Sequence, residues 1–366
     1  MGDKNRTFLL GAGFSKAVAG GPIMKEIWSR MKQRYEQEKN RRTSYDNLRI
    51  VWFDDLDSKL NKLESLLINR FKRYENIRVQ LRENVEYIFT LIDLSLSAPQ
   101  IEKNGSPTLY PAIPIPFSKS ELERIKTHLQ TFLYLILVNL KGSHLANKFA
   151  RLIEPSDEII TFNYDLVLEK VLLSPGIWFP LCGYVGVCKF EKEQDKETLE
   201  RMKKYSKLRI HKMHGSINWR IPESRSLERL QGINEVMIVM DDWENNRFHF
   251  DGLLERQPDN TNSSYVGGHK PGWMLPSFIK PFERNEFYEI WQSAINIMLK
   301  TDELVIIGYS FRPEDSNAFL LLSMLPRTCN IILVDRCPER IKERLENKGF
   351  KISRIFISLE DYLSEK

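Results

Sequence analysis

Thr7-Phe8-Leu9-Leu10-Gly11-Ala12-Gly13-Phe14-Ser15 is the stretch that decides the fold class. A short β-prone apolar run ends abruptly in a glycine turn, and a helical pattern follows within a few residues. Strand, glycine turn, helix is the opening unit of a nucleotide-binding α/β domain. Two glycines let the backbone turn tightly and approach a pyrophosphate, whose charge is favoured by amides at a helix start. Position 16 is Lys rather than a third glycine, and no acidic residue ends a plausible second strand. On these residues alone, a glycine turn with no ligand stands level with a nucleotide site.

Working outward, the same rhythm returns at Glu158-Ile159-Ile160-Thr161-Phe162, a strand running into Asn163-Tyr164-Asp165 and a helix. Further strands are expected at Leu208–Met213, Glu235–Met240, Leu304–Ile307, Asn330–Val334 and Lys351–Phe356. Helical patterns near Pro313–Leu325 and Pro338–Asn347 alternate with the last three, as in a parallel sheet. From Ile23 to about Lys141 the pattern is different. Leu56, Leu60, Leu63, Leu66 and Leu67 recur at helical spacing, as do Val85, Ile88, Phe89 and Ile92. Pro107, Pro111, Pro114 and Pro116 break it before a long helix over Ser120–Leu140. The reading is an α/β fold: a Rossmann-like parallel sheet built from residues 1–22 and 151–366, with a large helical insertion over 23–150. Lys189–Lys207 reads as a charged helical insertion, and Glu244–Gly272 as a polar loop.

Composition narrows the function class. The net charge is +5, from 54 Lys+Arg against 49 Asp+Glu, and the clusters Lys39–Arg42 and Arg201–Lys204 lie among acids. Solvated helix faces are favoured over a phosphate track, and direct nucleic-acid binding is not expected. The longest apolar run, around Phe132–Val138, is too short to span a bilayer. The start, Met1–Arg6, has no apolar signal core, and Arg6 spoils a myristoylation match. Four scattered cysteines (Cys182, Cys188, Cys329 and Cys337) form no Cys-x-x-Cys pair. A paired-knuckle zinc site is therefore not expected, and a reducing cytoplasm fits.

Four more segments could carry chemistry. Thr161–Asp165 ends an apolar strand where open α/β sheets bind ligands, though Asn163 or Asp165 could equally cap the following helix. His214-Gly215-Ser216 offers an imidazole that can act as a base near neutral pH, or a hydrogen-bonded structural histidine. His211 would face the other side of a strand from His214, which disfavours a two-histidine metal site. Gly308-Tyr309-Ser310 follows an apolar run, and Asp335 ends the next strand, where a carboxylate could accept bonds from ribose hydroxyls.

In this order, the five elements resemble the sirtuin NAD-binding signature. Gly11–Ser15 looks like its first glycine loop, and Thr161–Asp165 like its Thr-Gln-Asn-x-Asp segment with Phe162 in place of Gln. His214-Gly215 looks like its His-Gly element. Gly308–Ser310 looks like its Gly-Thr-Ser loop with Tyr309 in place of Thr, and Asp335 like a late ribose-contacting position. The chain is more similar still to the bacterial sirtuin-like family of antiviral defence systems. That likeness rests on Phe162–Asp165, on His214-Gly215-Ser216-Ile217-Asn218-Trp219, on Gly308–Phe311 with Asp315 following, and on Asn84-Val85-Glu86 before Ile88. Two features depart from the family's protein deacylases. The four-cysteine zinc ribbon cannot be built, and Ala19-Gly20-Gly21-Pro22 stands where an Asp-Phe-Arg usually follows the glycine turn.

The resemblance implies NAD as substrate, with no metal. Gly11, Ala12, Gly13, Phe14, Ser15, Gly308, Tyr309 and Ser310 would line the nucleotide. Asp165 would seat the carboxamide and Asp335 the adenosine ribose, Asn163 would orient water or ribose hydroxyls, and His214 would serve as base. The expected reaction is hydrolysis of NAD to nicotinamide and ADP-ribose. Alternatives are an NAD-dependent protein deacylase, or a non-catalytic module that senses NAD or ADP-ribose as an oligomer. A HerA-type hexameric ATPase partner is also implied by the resemblance. Homo-oligomerisation is expected from the apolar stripes of the helical insertion, Ile23 to about Lys141, and from the need to keep an NAD-consuming site idle, and no membrane partner is expected.

Overall fold

The computed structural model describes residues 4–39, 58–59, 61–62, 65, 85–97, 101–103, 106–108, 117–173, 175–179, 183–186, 188–190, 208–222, 236–238, 269–274, 285–312 and 315–365. The sequence expectations at Leu56, Leu60, Leu63, Leu66 and Leu67, and most of those over Lys189–Lys207 and Glu244–Gly272, lie outside these residues. The chain divides into two units. The first contains residues 1–21, 140–273 and 281–366, and the second 22–139 and 274–280. Residues 140–150, read from the sequence as part of the insertion, group with the sheet.

The first unit is built on six parallel strands: β1 (Arg6–Leu10), β4 (Glu158–Thr161), β6 (Arg209–Lys212), β10 (Glu303–Ile307), β11 (Asn330–Val334) and β12 (Ile352–Phe356). Across the sheet they run β12-β11-β10-β1-β4-β6. Counted in chain order this is 3-2-1-4-5-6, the Rossmann arrangement, whose direction of winding reverses between β1 and β10. The central strands carry unbroken apolar runs because both faces are covered. Phe8, Leu9 and Leu10 are fully buried, as are Leu304, Val305 and Ile306.

Helix α1 (Ala12–Ala19) is amphipathic, with Phe14 and Val18 buried. Phe14 and Phe8 both meet Phe149, of the helix His144–Leu152, edge to face at 4.8 and 5.5 Å. At the other end of β1, Arg6 makes a two-pronged bond to Asp157, 2.9 Å from Nε to Oδ1 and 2.7 Å from Nη2 to Oδ2. This charge-assisted pair sets β1 against the start of β4.

A second, four-stranded sheet in this unit runs β5-β8-β7-β9, from β5 (Cys188–Phe190), β7 (Gly215–Pro222), β8 (Val236–Ile238) and β9 (His269–Trp273). Here the structure departs from the sequence reading. Lys189 is in a strand rather than a helix. Residues 269–272, read as loop, are drawn into a strand by pairing with β7, and β8 joins this small sheet rather than the large one.

In the second unit, helices Met24–Lys39, Val85–Ser97 and Lys119–Leu137 pack on one another. Their apolar stripes meet in a shared interior: Ile27, Trp28 and Met31; Val85, Ile88, Phe89 and Ile92; Leu122, Ile125, Leu129 and Phe132. The third helix begins in a capping box between Ser118 and Glu121. Pro107, read as a helix breaker, lies in a short hairpin of β2 (Ile101–Lys103) with β3 (Ser106–Thr108). Among the described residues, no helix is long and apolar enough to cross a membrane.

Glu158 begins β4 half-buried, and burial outweighs the nearby Arg209 to push its carboxyl from near 4.5 up to about 7. Its Oε2 has no hydrogen-bond partner. Between those values the folded protein holds a proton that the unfolded chain releases, so stability falls as pH rises through that window. The expected loss is about 2–3 kcal/mol between pH 4.5 and pH 7. Glu158→Gln should abolish this component, so urea midpoints of wild type and variant should converge near pH 4.5 and separate toward pH 7. Parallel pH profiles would refute the assignment.

Candidate functional site

The site is assembled from segments that leave the carboxyl ends of the parallel strands, each stitched to its neighbour before it turns away. Gly11 N–H donates to the Ile307 carbonyl (3.0 Å), and Phe162 N–H to Leu10 (3.0 Å). Met213 N–H donates to Thr161 (2.9 Å), and Gly308 N–H to Val334 (3.0 Å). The parallel ladder thus continues into the loops and fixes their starting positions.

Across the switch between β1 and β10 the two glycine turns touch backbone to backbone. Gly13 N–H donates to the Gly308 carbonyl at 2.9 Å. A Cβ on Gly13 would lie 2.6 Å from Gly308 Cα, and one on Gly11 would meet Gly308 O and Tyr309 Cα at 2.6 Å. Gly308 also has φ +60°. The glycines are therefore demanded by this mutual contact, whatever ligand lies above. Phe14 N–H donates to Gly11 O (2.9 Å) and its ring is in the core, while Ala12 is the exposed apex of the turn.

Asn163 clamps the turn from β4. Its Nδ2 donates to the Gly11 carbonyl and to Ser15 Oγ, both at 2.9 Å. Gly11 O can only accept, so the amide orientation follows from chemistry. With both N–H groups so engaged, Oδ1 is the polar atom this side chain has to offer a ligand. Ser15 is itself buried. Asp165, also buried, accepts the Val167 N–H at 3.1 Å through Oδ1, as a cap on the helix Val167–Leu173.

Below Asp165 is a fully buried ion pair that the sequence did not disclose. Lys212 Nζ lies 2.7 Å from Glu169 Oε1, with side chains 1% and 0% exposed. The ammonium also donates to the Asp165 carbonyl at 2.6 Å, and Tyr184 Oη donates to Glu169 Oε1 at 3.0 Å. Lys212 is the last residue of β6, so one cation joins the Asp165 segment to the turn that carries His214. Its signal in the sequence was a lysine at the end of a β-prone run, but its partner lies 43 residues earlier.

His214, 5% exposed, packs in an aromatic setting. Phe162 meets its ring edge-on at 5.1 Å, and Tyr164 stacks on it at 5.8 Å. Gly215 follows at φ +78°, where a Cβ would lie 2.3 Å from Gly272 O of β9. The close approach of β9 requires that glycine. His211 is deep in β6 between Ile159 O and Ser293 Oγ, and burial lowers it to about 4.

Phe162 and Tyr309, the two positions where aromatics stand in place of the Gln and Thr of the sirtuin motifs, are in contact. Phe162 and Tyr309 stack at 4.5 Å and 22°, joining the ends of β4 and β10 over the end of β1 between them. Tyr309 Oη donates to Asp315 (3.0 Å), and Arg344 donates to the carbonyls of Ser310 (2.9 Å) and Phe311 (3.0 Å). Phe311, at φ +44°, is the only non-glycine residue with positive φ among those described. Asp335 stands at the end of β11, where Oδ1 accepts the Cys337 N–H at 2.8 Å. Burial raises its carboxyl, against the opposing effects of that bond and Arg336. The structure brings Gly11, Gly13, Ser15, Phe162, Asn163, Gly308, Tyr309 and His214 into one connected cluster. Asp335 lies two strands from β1, and Ser310 is exposed.

A doubly wound sheet with its glycine turns and polar side chains converging at the winding reversal defines a nucleotide-binding α/β domain. The pattern of the SIR2-like domain matches residues 157–352, more than half of the chain, and the chain belongs to that family, whose chemistry is NAD-related. No curated protein matches it. Among solved structures it is similar to one described as "Structural Basis for the Mechanism and Regulation of Sir2 Enzymes" (11% identity, 100% of this chain and 90% of that one, TM-score 0.40). Another is "Structure of Sir2Tm bound to a propionylated peptide" (11% identity, 67% of this chain and 79% of that one, TM-score 0.36).

Removing one partner of the buried ion pair leaves the other uncompensated. Lys212→Met alone should therefore cost about 3–5 kcal/mol, while Lys212→Met with Glu169→Leu should recover most of it. Phe162→Leu and Tyr309→Leu should show a coupling of about 0.5–1.5 kcal/mol in a double-mutant cycle. Denaturant titration checks both, and additive effects would contradict them.

Proposed function

We propose that the chain hydrolyses NAD to nicotinamide and ADP-ribose. The observation that carries this reading is the direct contact among the Gly11 turn, Asn163, Phe162, Tyr309 and His214, at strand ends where sheets of this winding bind dinucleotides. In the reaction, the bond from the ribose anomeric carbon to the nicotinamide nitrogen breaks and its electron pair leaves with nicotinamide. Water oxygen bonds to that carbon, and the proton it loses goes to a base. His214 is the base in this reading, its ring position set by Phe162 and Tyr164. Oδ1 of Asn163 holds the water or a ribose hydroxyl. Asp165 and Asp335 serve the carboxamide and the adenosine ribose, and Gly11–Ser15 with Gly308–Ser310 line the nucleotide.

Hydrolysis is favoured over peptide deacylation by the cysteine positions. Cys329 and Cys337 stand at opposite ends of β11, a strand spanning about 16 Å. Two ligands so placed cannot share a zinc ion, whose bonds to sulfur are about 2.3 Å long. A role in antiviral defence in the cytoplasm, with activity gated by self-assembly or by a hexameric ATPase of the HerA type, belongs to the same proposal. It answers the need to keep an NAD-consuming site idle by default.

Purified protein incubated with NAD and no acylated peptide, alone and with the neighbouring gene's product, should release nicotinamide and ADP-ribose in equal amounts. His214→Ala should lower kcat by about 10²–10⁴-fold. Asn163→Ala should abolish turnover at a stability cost of about 1 kcal/mol per lost hydrogen bond. Nicotinamide release that requires an acylated peptide would overturn the proposal.

A further inference from the structure

Asn218 is 4% exposed, and neither its Nδ2 nor its Oδ1 has a hydrogen-bond partner. A primary amide has two donors and an acceptor oxygen with two lone pairs, and burying all of these unmet opposes folding. A buried group of this kind calls for an explanation outside the chain's own hydrogen bonds.

Its surroundings supply one. Asn218 lies in β7, the strand that leaves the His214 turn. Ile217 N–H donates to the Tyr164 carbonyl at 3.0 Å and Ser216 Oγ lies 3.5 Å from it, so this part of β7 runs against the segment carrying Asn163 and Asp165. The next residue, Trp219, meets Tyr184 at 5.1 Å, beside the buried ion pair. Asn218 therefore lies one residue from that backbone contact, in the stretch of β7 beside Tyr164, whose ring packs against His214 and Trp273.

We infer that Asn218 is a ligand-binding residue whose amide pairs with a group presenting a donor and an acceptor side by side. This rests on the NAD reading above. NAD carries such an edge at each end: the carboxamide of nicotinamide, and the amino and ring-nitrogen edge of adenine, which asparagine reads bidentately elsewhere. In the absence of nucleotide the amide is a cost to the fold, so its removal leaves the fold intact while weakening the ligand.

The test is equilibrium binding by calorimetry with carba-NAD, which keeps both ends and is not cleaved, together with thermal melting of the nucleotide-free protein. Asn218→Leu replaces both polar atoms with methyl groups on the same branched skeleton. It should weaken carba-NAD by about tenfold or more, the scale of one lost ligand hydrogen-bond pair, without lowering the melting midpoint. Nicotinamide mononucleotide and ADP-ribose assign the end. Weakening of the first alone places Asn218 at the carboxamide, and weakening of the second alone places it at adenine. If wild type binds carba-NAD and Asn218→Leu binds it equally well, this inference fails and the hydrolase reading stands. If wild type binds none of the three, the hydrolase reading fails and takes this one with it. A clearly lowered midpoint in both Asn218→Leu and the smaller Asn218→Ala would show that the amide is structural, and would also overturn the inference.

Discussion

The contact between the Gly11–Gly13 turn and Gly308 governs the geometry of everything above the sheet. It lies at the winding reversal, where neighbouring strands send their connections apart and a crevice opens at the strand ends. Here the two backbones close to hydrogen-bond distance, with Gly13 N–H on the Gly308 carbonyl, and any Cβ between them would have to displace main chain. Because main chain cannot yield as a side chain can, the separation of the two loops is set almost rigidly. Asn163 then reads that position with two hydrogen bonds from the adjacent strand. Loop placement is thus a property of the sheet rather than of a bound nucleotide.

Over this contact, two positions that are polar in the sirtuin pattern carry aromatics, and the two rings touch. Phe162 and Tyr309 stack across the end of β1, and Tyr309 is held at its far end by Asp315. Phe162 also presents itself to the edge of His214, so the imidazole packs against aromatic rings. An imidazole in such a setting is buried and held in place by packing.

Beneath the loops, polarity is placed where burial makes it expensive. The Lys212–Glu169 pair is desolvated on both sides and has two further hydrogen bonds, to the Asp165 carbonyl and from Tyr184. Such pairs contribute little net stability over an apolar replacement, but they specify one arrangement. Here the arrangement specified is that of Asp165 relative to the turn bearing His214. Asn218 is the complementary case, a buried amide with nothing in the chain to meet it.

By itself the sequence determined the α/β class, the strand–turn–helix opening, the later strand ends and the departures at positions 162 and 309. All of these are patterns in residues close along the chain, governed by backbone propensity and periodicity. The small sheet was less legible: β7 begins inside the His-Gly element, and β9 is strand only because β7 pairs with it. Only the tertiary structure decided why the glycines are glycines, since Gly13 and Gly308 meet from 295 positions apart. It alone decided that Asn163 spends both its protons on the glycine turn, and that Asp165 caps a helix. It alone joined Lys212 to Glu169 and left Asn218 unpaired. Pairing and burial are properties of neighbours in space, and the chain order of a doubly wound sheet, which sends strands to both sides of the first, separates those neighbours along the sequence.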